Sequence, residues 1–200
     1  MTLRLGILIS GGGRTAINLD AFCRAPANSA LDAHVAIVIT HRMDGEGVQR
    51  CRDSGVRVAS VPLGHDVDTR IDAVLDAARV DLVCLAGYLR KFRVGTRWAD
   101  RCLNIHPGLL PQFGGQGMYG LHVHRAVIAA GVQESGCTVH EVDEEYDHGA
   151  FVLERRCAVH RDDTAHTLAA RVFDEECIAY PQAIAIMAAR LASTQLARAT

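Results

Sequence analysis

Residues 3–15, LRLGILISGGGRT, decide the fold. Leu3–Ser10 is rich in Leu and Ile without strict alternation, the composition of a strand covered on both faces inside a parallel sheet. Gly11, Gly12 and Gly13 then let the backbone turn tightly and approach a ligand. Ala16–Cys23 continues with helical spacing through Ile17 and Phe22. A strand, a glycine turn and a helix leave unpaired N–H groups at the helix start, where an anion binds. Neither G-x-G-x-x-G nor G-x-x-x-x-G-K-[ST] is completed, which speaks against nucleoside triphosphates. A turn that only reverses the chain has the same composition, so both readings stand at this point.

Working outward, His34–Thr40 (HVAIVIT) reads as a second strand, Gly47–Asp53 as a short helix ending at Gly55, and Val56–Val61 as a third strand. Asp68–Ala78 carries apolar residues at 71, 74, 75 and 78, a helical spacing, and Asp81–Ala86 (DLVCLA) is a fourth strand. This alternation predicts an α/β fold with a doubly wound, mostly parallel sheet flanked by helices, Rossmann-like in its N-terminal half, with ligands outside the carboxyl ends of the strands. Ser10, Gly87 and Asn104 all fall at such ends. Leu121–Ala130 reads as a helix closed by Gly131, and Gly136–Val142 and Phe151–Val159 as two further strands. Asp163 or Thr164 is placed to cap a final helix, which Pro181 is expected to kink or restart.

Two hundred residues with 49% apolar content suit one sizeable core, and a single domain over 1–200 is expected. A net charge of −2 with no basic stripe argues against sequence-independent nucleic-acid binding and leaves room for a small anionic ligand. No apolar run approaches the length of a membrane span, and the first ten residues run into glycines without a cleavage site, so the chain reads as cytoplasmic. The seven cysteines form no C-x-x-C pair, and those at 84, 102, 137 and 157 sit in apolar segments; all are read as reduced and buried.

The chemistry concentrates in Arg101–Pro111, RCLNIHPGLLP. If Cys102–Ile105 is a strand, Asn104 and His106, two residues apart, point to one face, and Pro107-Gly108 turns the chain away. An amide donor and an acid/base group then enter one pocket. Asp147, within Glu144–Gly149 (EEYDHG), is the natural carboxylate partner. Taken one at a time, a histidine before proline is commonly a satisfied polar group and an aspartate near glycine a turn residue.

Four segments, LNIHPGLLP, DLVCLAGYLRKF, GLHVHRAV and EVDEEYDHGAFVLE, together resemble the phosphoribosylglycinamide formyltransferase family of folate-dependent formyltransferases, over nearly the whole chain. The resemblance implies a formyltransferase fold, with a phosphate-binding half over 1–100 and a catalytic and folate-binding half over 101–200. It implies transfer of a formyl group from the co-substrate 10-formyltetrahydrofolate to the amine of glycinamide ribonucleotide, in purine biosynthesis, by direct attack through a tetrahedral intermediate. Asn104 would meet the oxyanion, His106 would donate to the same oxygen and manage the proton, and Asp147 would hold the imidazole and favour its cationic form. No side-chain nucleophile is required.

By the same resemblance, Gly13, Arg14 and Thr15 hold the ribonucleotide phosphate; relatives carry Ser-Asn where this chain has Arg14-Thr15, which shifts the question of which side chain grips it. Leu89, Arg90, Lys91 and Phe92 line the folate pocket, joined by Asn104, Asp143 and Asp147, although Arg90-Lys91 alone also fits a solvated basic pair. Glu176 reaches the ribonucleotide or is a solvated helical charge, and Cys177 replaces the family's histidine beside it. His122 is expected next to Asp147. Gln112–Gly120 (QFGGQGMYG) holds four glycines in nine residues and reads either as a cover over the acceptor or as a tolerated insertion.

His122, His124, His140, Asp143 and His148 look ligand-rich, but no zinc spacing appears and no metal is expected. Small-molecule substrates, no nucleic acid, no membrane, and a monomer or homodimer complete the expectation. Rival readings are another 10-formyltetrahydrofolate enzyme, acting on an amino sugar, on initiator methionyl-tRNA or on water, and a non-catalytic nucleotide-binding module. The chain lacks the extra basic domain of the tRNA enzyme and the N-terminal regulatory domain of the hydrolase, which favours the small acceptor.

Overall fold

In the computed structural model, which describes residues 2–25 and 31–199, the opening strand β1 (Leu3–Leu8) is paired on both sides. It is parallel to β2 (Ala33–Thr40) on one side and to β4 (Leu82–Leu85) on the other. Outward from β2 lies β3 (Val58–Ser60), and outward from β4 lie β5 (Cys102–His106), β6 (Glu134–Glu141) and β7 (Phe151–Ala158). β3, β2, β1, β4 and β5 are parallel; β5–β6 and β6–β7 are antiparallel. The doubly wound, mostly parallel sheet expected from the sequence is what the chain forms, with seven strands in the order β3-β2-β1-β4-β5-β6-β7.

Side-chain alternation divides the core into two layers. Leu5 and Ile7 of β1, Leu82 and Cys84 of β4, and Leu103 and Ile105 of β5 face one layer. They meet Leu19 of α1 (Arg14–Arg24), Val127 of α5 (Leu121–Ala129) and Val172 and Tyr180 of α6 (Ala165–Ala199). Cys51 of α2 (Glu46–Asp53) joins the same layer. Leu8, Val83, Leu85 and Cys102 face the other, with Ile71 and Leu75 of α3 (Val67–Ala77) and Trp98 of α4 (Gly95–Trp98). Because side chains alternate, Asn104 and His106 lie on the face away from α6. Their cross-strand partners His140 and Thr138 lie there too. This end of the sheet is therefore apolar where helices cover it and polar where loops do.

Several boundaries differ from the sequence reading. β3 keeps three residues of the expected Val56–Val61 because pairing with β2 covers only Val58, Ala59 and Ser60. The four-residue helix α4 was not anticipated; Trp98 anchors it, buried in the core with its indole N–H donating to Asp72 at 2.7 Å. α6 begins after Thr164, whose hydroxyl accepts the Thr167 N–H at 3.2 Å, so Thr164 is the cap. Asp163 instead receives the Arg171 guanidinium at 2.7 and 3.0 Å, which holds its carboxyl far below the usual range. The expected restart at Pro181 does not occur, and α6 continues through it.

A proline inside a helix leaves the carbonyl four residues earlier without its N–H partner. Here that carbonyl belongs to Cys177, and the side-chain amide of Asn18 in α1 donates to it at 3.0 Å. Tyr180, fully buried beside the proline, donates its hydroxyl to the Leu85 and Leu103 carbonyls at 3.0 and 3.1 Å, fastening the helix to β4 and β5. All seven cysteines are free thiols; Cys51, Cys84, Cys102 and Cys137 are buried as expected, whereas Cys23, Cys157 and Cys177 are only half-buried. No helix among the described residues is long and apolar enough to cross a membrane.

Candidate active site

The strand ends after β1, β4 and β5 converge as the sheet topology requires. The Ser10 N–H donates to the Gly87 carbonyl at 3.2 Å, and the Leu89 N–H donates to the Ser10 hydroxyl at 3.0 Å. The glycine turn itself is seated on α2. Gly13 has φ +68°, and Gly47 comes so close that a Cβ on it would stand 2.1 Å from the Gly11 carbonyl oxygen. Arg50 of α2 donates to the Gly12 carbonyl at 2.8 Å. The turn is thus held in shape from outside, with Gly13 capping α1 and leaving the N–H groups of the first turn directed outward.

One cavity of about 680 Å³ lies against these ends. It brings together Gly13, Arg14, Thr15, Leu89, Arg90, Lys91, Phe92, Asn104, His106, Asp143, Asp147 and Glu176, every site residue singled out from the sequence except His122. The reason is geometric: on a helix, residues two apart face different directions. His122 turns outward, exposed, with its ring edge-on to Tyr119 at 5.2 Å between centroids. His124 turns inward, buried, into the cavity wall.

At the centre, His106 Nδ1 stands 3.4 Å from Asp147 Oδ2. The opposite ring nitrogen, Nε2, lies 2.7 Å from the Phe113 carbonyl oxygen. A carbonyl only accepts, so Nε2 carries a proton and Nδ1 is the atom turned toward the carboxylate. Asn104 donates from its amide to Asp147 Oδ1 at 3.4 Å and to His140 Nε2 at 3.1 Å. His140 Nδ1 donates to the Glu141 carbonyl at 2.8 Å, which leaves Nε2 as the acceptor when the ring is neutral. His140 also approaches Asp147 Oδ1 at 3.5 Å. The site is therefore a cluster of four side chains, and His140 is the member that sequence reading left among possible metal ligands. Only its pairing opposite Asn104 in the β5–β6 ladder, a register the sequence does not display, makes it a site residue.

Burial sets the electrostatics. His106 is held below its ordinary range first by burial; Asp147 and the Phe113 carbonyl push it up, and His140 pushes it down. The expected rise caused by Asp147 is present in direction but outweighed, because taking an imidazolium out of water costs more than one carboxylate returns here. The Asp147 carboxyl is raised by burial, but His140, His106 and the Gly115 N–H outweigh that and leave it below its usual value. Asp147 sits in the left-handed region, φ +55°, which aspartate tolerates better than most residues. His124 is lowered to about 4 by burial and then by the charge of His106.

At the other end of the cavity the Arg14 guanidinium lies over the Phe173 ring, 4.0 Å from its centroid. Glu176 is buried rather than solvated, and burial raises its carboxyl to about 7 against the opposing charge of Arg14. Phe92 is a core residue that offers the cavity little beyond its backbone. Leu89, Tyr119 and Tyr146 are exposed apolar side chains along the mouth. Lys91 reaches Glu144 at 3.7 Å, across from the β4 loop to the β6–β7 loop. Among the described residues no group of three or more His, Cys, Asp or Glu side chains is placed to hold a metal. Asp143 and His148 pair with each other at 2.8 Å.

The formyl transferase family model matches residues 3–184. A chloroplastic phosphoribosylglycinamide formyltransferase of Vigna unguiculata is 39% identical over 159 residues, covering 76% of this chain and 50% of that protein. Among solved structures, a phosphoribosylglycinamide formyltransferase from Brucella melitensis superposes with a TM-score of 0.84 at 34% identity, covering 94% of this chain and 97% of that one. The Anaplasma phagocytophilum enzyme of the same name gives 0.83 at 32% identity, covering 94% and 87%. The chain spans about half the length, or less, of the first curated relatives it matches.

Proposed function

This chain belongs to the formyl transferase family, and from that premise we propose that it transfers the formyl group of 10-formyltetrahydrofolate to the amine of glycinamide ribonucleotide. The observation that carries the proposal is Asp147 with its carboxylate 3.4 Å from polar atoms of both Asn104 and His106, in a cavity that also contains the glycine turn with Arg14. A carbonyl chemistry at one end and an anion site at the other match a phosphorylated amine acceptor and a formyl donor.

In the reaction, the acceptor nitrogen forms a bond to the formyl carbon while the carbonyl electron pair moves onto oxygen. The nitrogen then loses a proton, the bond from carbon to the folate nitrogen breaks, and that nitrogen takes a proton. Asn104 turns the N–H of its long contact to Asp147 onto the developing oxyanion, without changing its own charge. His106 acts through Nδ1, since Phe113 occupies Nε2. A buried, reluctantly charged imidazole beside a carboxylate becomes a better cation when negative charge appears next to it, so proton uptake tracks formation of the oxyanion. The proton taken up at His106 Nδ1 is the one released by the amine; Asp147 stabilises the resulting imidazolium, and the same proton passes to the folate nitrogen as it leaves. Arg14 supplies the phosphate with a forked donor that the family's serine does not, and Glu176 accepts from the polar groups of the ribonucleotide.

The test is a purified-protein assay with 10-formyltetrahydrofolate, following folate absorbance with and without glycinamide ribonucleotide. Turnover requiring that acceptor supports the proposal; turnover without acceptor identifies a hydrolase, and turnover only with an amino sugar another transferase. Silence with every acceptor, together with retained phosphate binding, leaves a binding module. Asn104→Ala is expected to lower kcat by roughly 10²–10³, and His106→Ala to abolish measurable turnover, in both cases with the fold intact by circular dichroism.

A further inference from the structure

We propose that residues 113–115, at the start of the glycine-rich stretch, position the catalytic pair, with the main chain of Phe113 fixing His106 and the main chain of Gly115 fixing Asp147. The inference rests on the formyl-transfer reading for its catalytic meaning, but its geometry does not. The Phe113 carbonyl accepts from His106 Nε2 at 2.7 Å, and the Gly115 N–H donates to Asp147 Oδ2 at 3.0 Å. Two residues apart on one short stretch, these groups bracket the His106–Asp147 contact from either end. A tolerated surface insertion would touch neither.

The bracket is rigid at its start. Phe113 has its side chain in the core at 5% exposure, so its carbonyl cannot swing away without exposing the ring. Upstream, Thr138 of β6 accepts the Leu110 N–H at 3.2 Å and donates to the Gly108 carbonyl at 2.9 Å, binding the approach to the sheet. Gly114 lies flat against Asp147; a Cβ there would stand 3.1 Å from the aspartate Cβ and 2.3 Å from Leu110 Cδ2. Beyond Gly115 the segment leaves the pair, and Met118 and Tyr119 form cavity wall. The groups facing Asp147 are Asn104 and His106 from β5, His140 from β6 and the Gly115 N–H; behind them, the charge of His106 lowers His124 of α5. Of these, only the Gly115 group comes from a segment outside the sheet and the helices.

Two substitutions of equal backbone cost isolate this contact. Gly115 and Gly117 have φ +95° and +89°, and neither has an atom within 4 Å of an added Cβ. Ala at either site is strained without a clash, but only Gly115 donates to the carboxylate. Gly115→Ala keeps the main-chain N–H but cannot rest at φ +95°, and relieving that strain draws the N–H off the Asp147 carboxylate it holds down, so the Asp147 titration moves to higher pH by about 0.5–1 unit. The acid limb of kcat/KM moves with it, and kcat falls roughly 10-fold. Gly117→Ala keeps the wild-type limb. Carbon-13 NMR of the Asp147 carboxyl and nitrogen-15 NMR of His106 read the same shift and the Nε2–H tautomer without any substrate, with thermal melts confirming that both variants fold. Identical Asp147 titrations in wild type, Gly115→Ala and Gly117→Ala would overturn the inference. A shifted titration in a protein that never turns over formyl donor would instead overturn only the reaction assigned to the site.

Discussion

The side-chain amide of Asn18 donates to the main-chain carbonyl of Cys177, the acceptor in α6 that Pro181 cannot serve. One polar side chain on α1 thereby lets a long helix pass a proline without a break. Removing a donor to a half-buried carbonyl costs about 1 kcal/mol, or roughly 2–4 °C of Tm in a chain of this size. Asn18→Ala is therefore expected to cost that much in the native background and much less when Pro181 is also Ala, because the restored N–H takes over. Urea unfolding of the four proteins measures the coupling; equal costs in both backgrounds would show that Asn18 acts elsewhere.

Asp147 combines a charge with a left-handed backbone, and the two contributions separate by substitution. Asparagine tolerates that backbone region about as well as aspartate, so Asp147→Asn keeps the fold and loses the charge opposite His106. The expected outcome is a fall in kcat of roughly 10²–10⁴ with Tm nearly unchanged. Asp147→Ala is expected to lose both activity and stability. Steady-state kinetics beside differential scanning calorimetry distinguish the two, and an asparagine variant with full turnover would remove the carboxylate from the mechanism.

His124 makes stability depend on pH. Its folded pKa of about 4 lies below the unfolded value of 6.5, so the unfolded chain takes up the proton first as pH falls. The stabilising effect of keeping this ring neutral is complete above about pH 6.5 and is lost as pH drops toward 4, at up to about 1.4 kcal/mol per pH unit. His106, lowered in the same direction, adds to it. Because His124 Nδ1 has no hydrogen-bond partner, His124→Leu sacrifices little at neutral pH. Its Tm is expected to fall less steeply than wild type between pH 6.5 and 4; parallel curves would mean that other groups govern acid sensitivity.

Arg14 is poised on the Phe173 ring beside the glycine turn. Arg14→Ser is expected to raise KM for a phosphorylated acceptor roughly 10- to 100-fold, with kcat within a few-fold of wild type, since a charged fork to a phosphate is worth about 1.5–3 kcal/mol. The salt dependence of KM should weaken in parallel. If KM and its salt dependence both stay put, the guanidinium serves only to cover Phe173.

The layers of this fold were legible because periodicity records them: continuous apolar strands such as His34–Thr40 announced a buried parallel sheet, and its order follows. Asn104 and His106 were legible for the same reason, two residues apart on a strand. What stayed hidden depends on contacts between distant segments. His140 becomes a site residue only through its register opposite Asn104, and the choice between His122 and His124 depends on which way α5 rolls. The continuity of α6 rests on Asn18, about 160 residues upstream by sequence. The pKa of His106 depends on how thoroughly the sheet and loops exclude water, which no local pattern encodes.

Gly47 reaches the glycine turn from a different helix and leaves no room there for even a methyl group. The mould that shapes this turn thus lies outside it, in α2, and is independent of what stands at positions 14 and 15. Sequence drift can exchange those two side chains without moving the backbone amides of the turn. A mutation at Gly47 would deform the turn although Gly47 is no part of it.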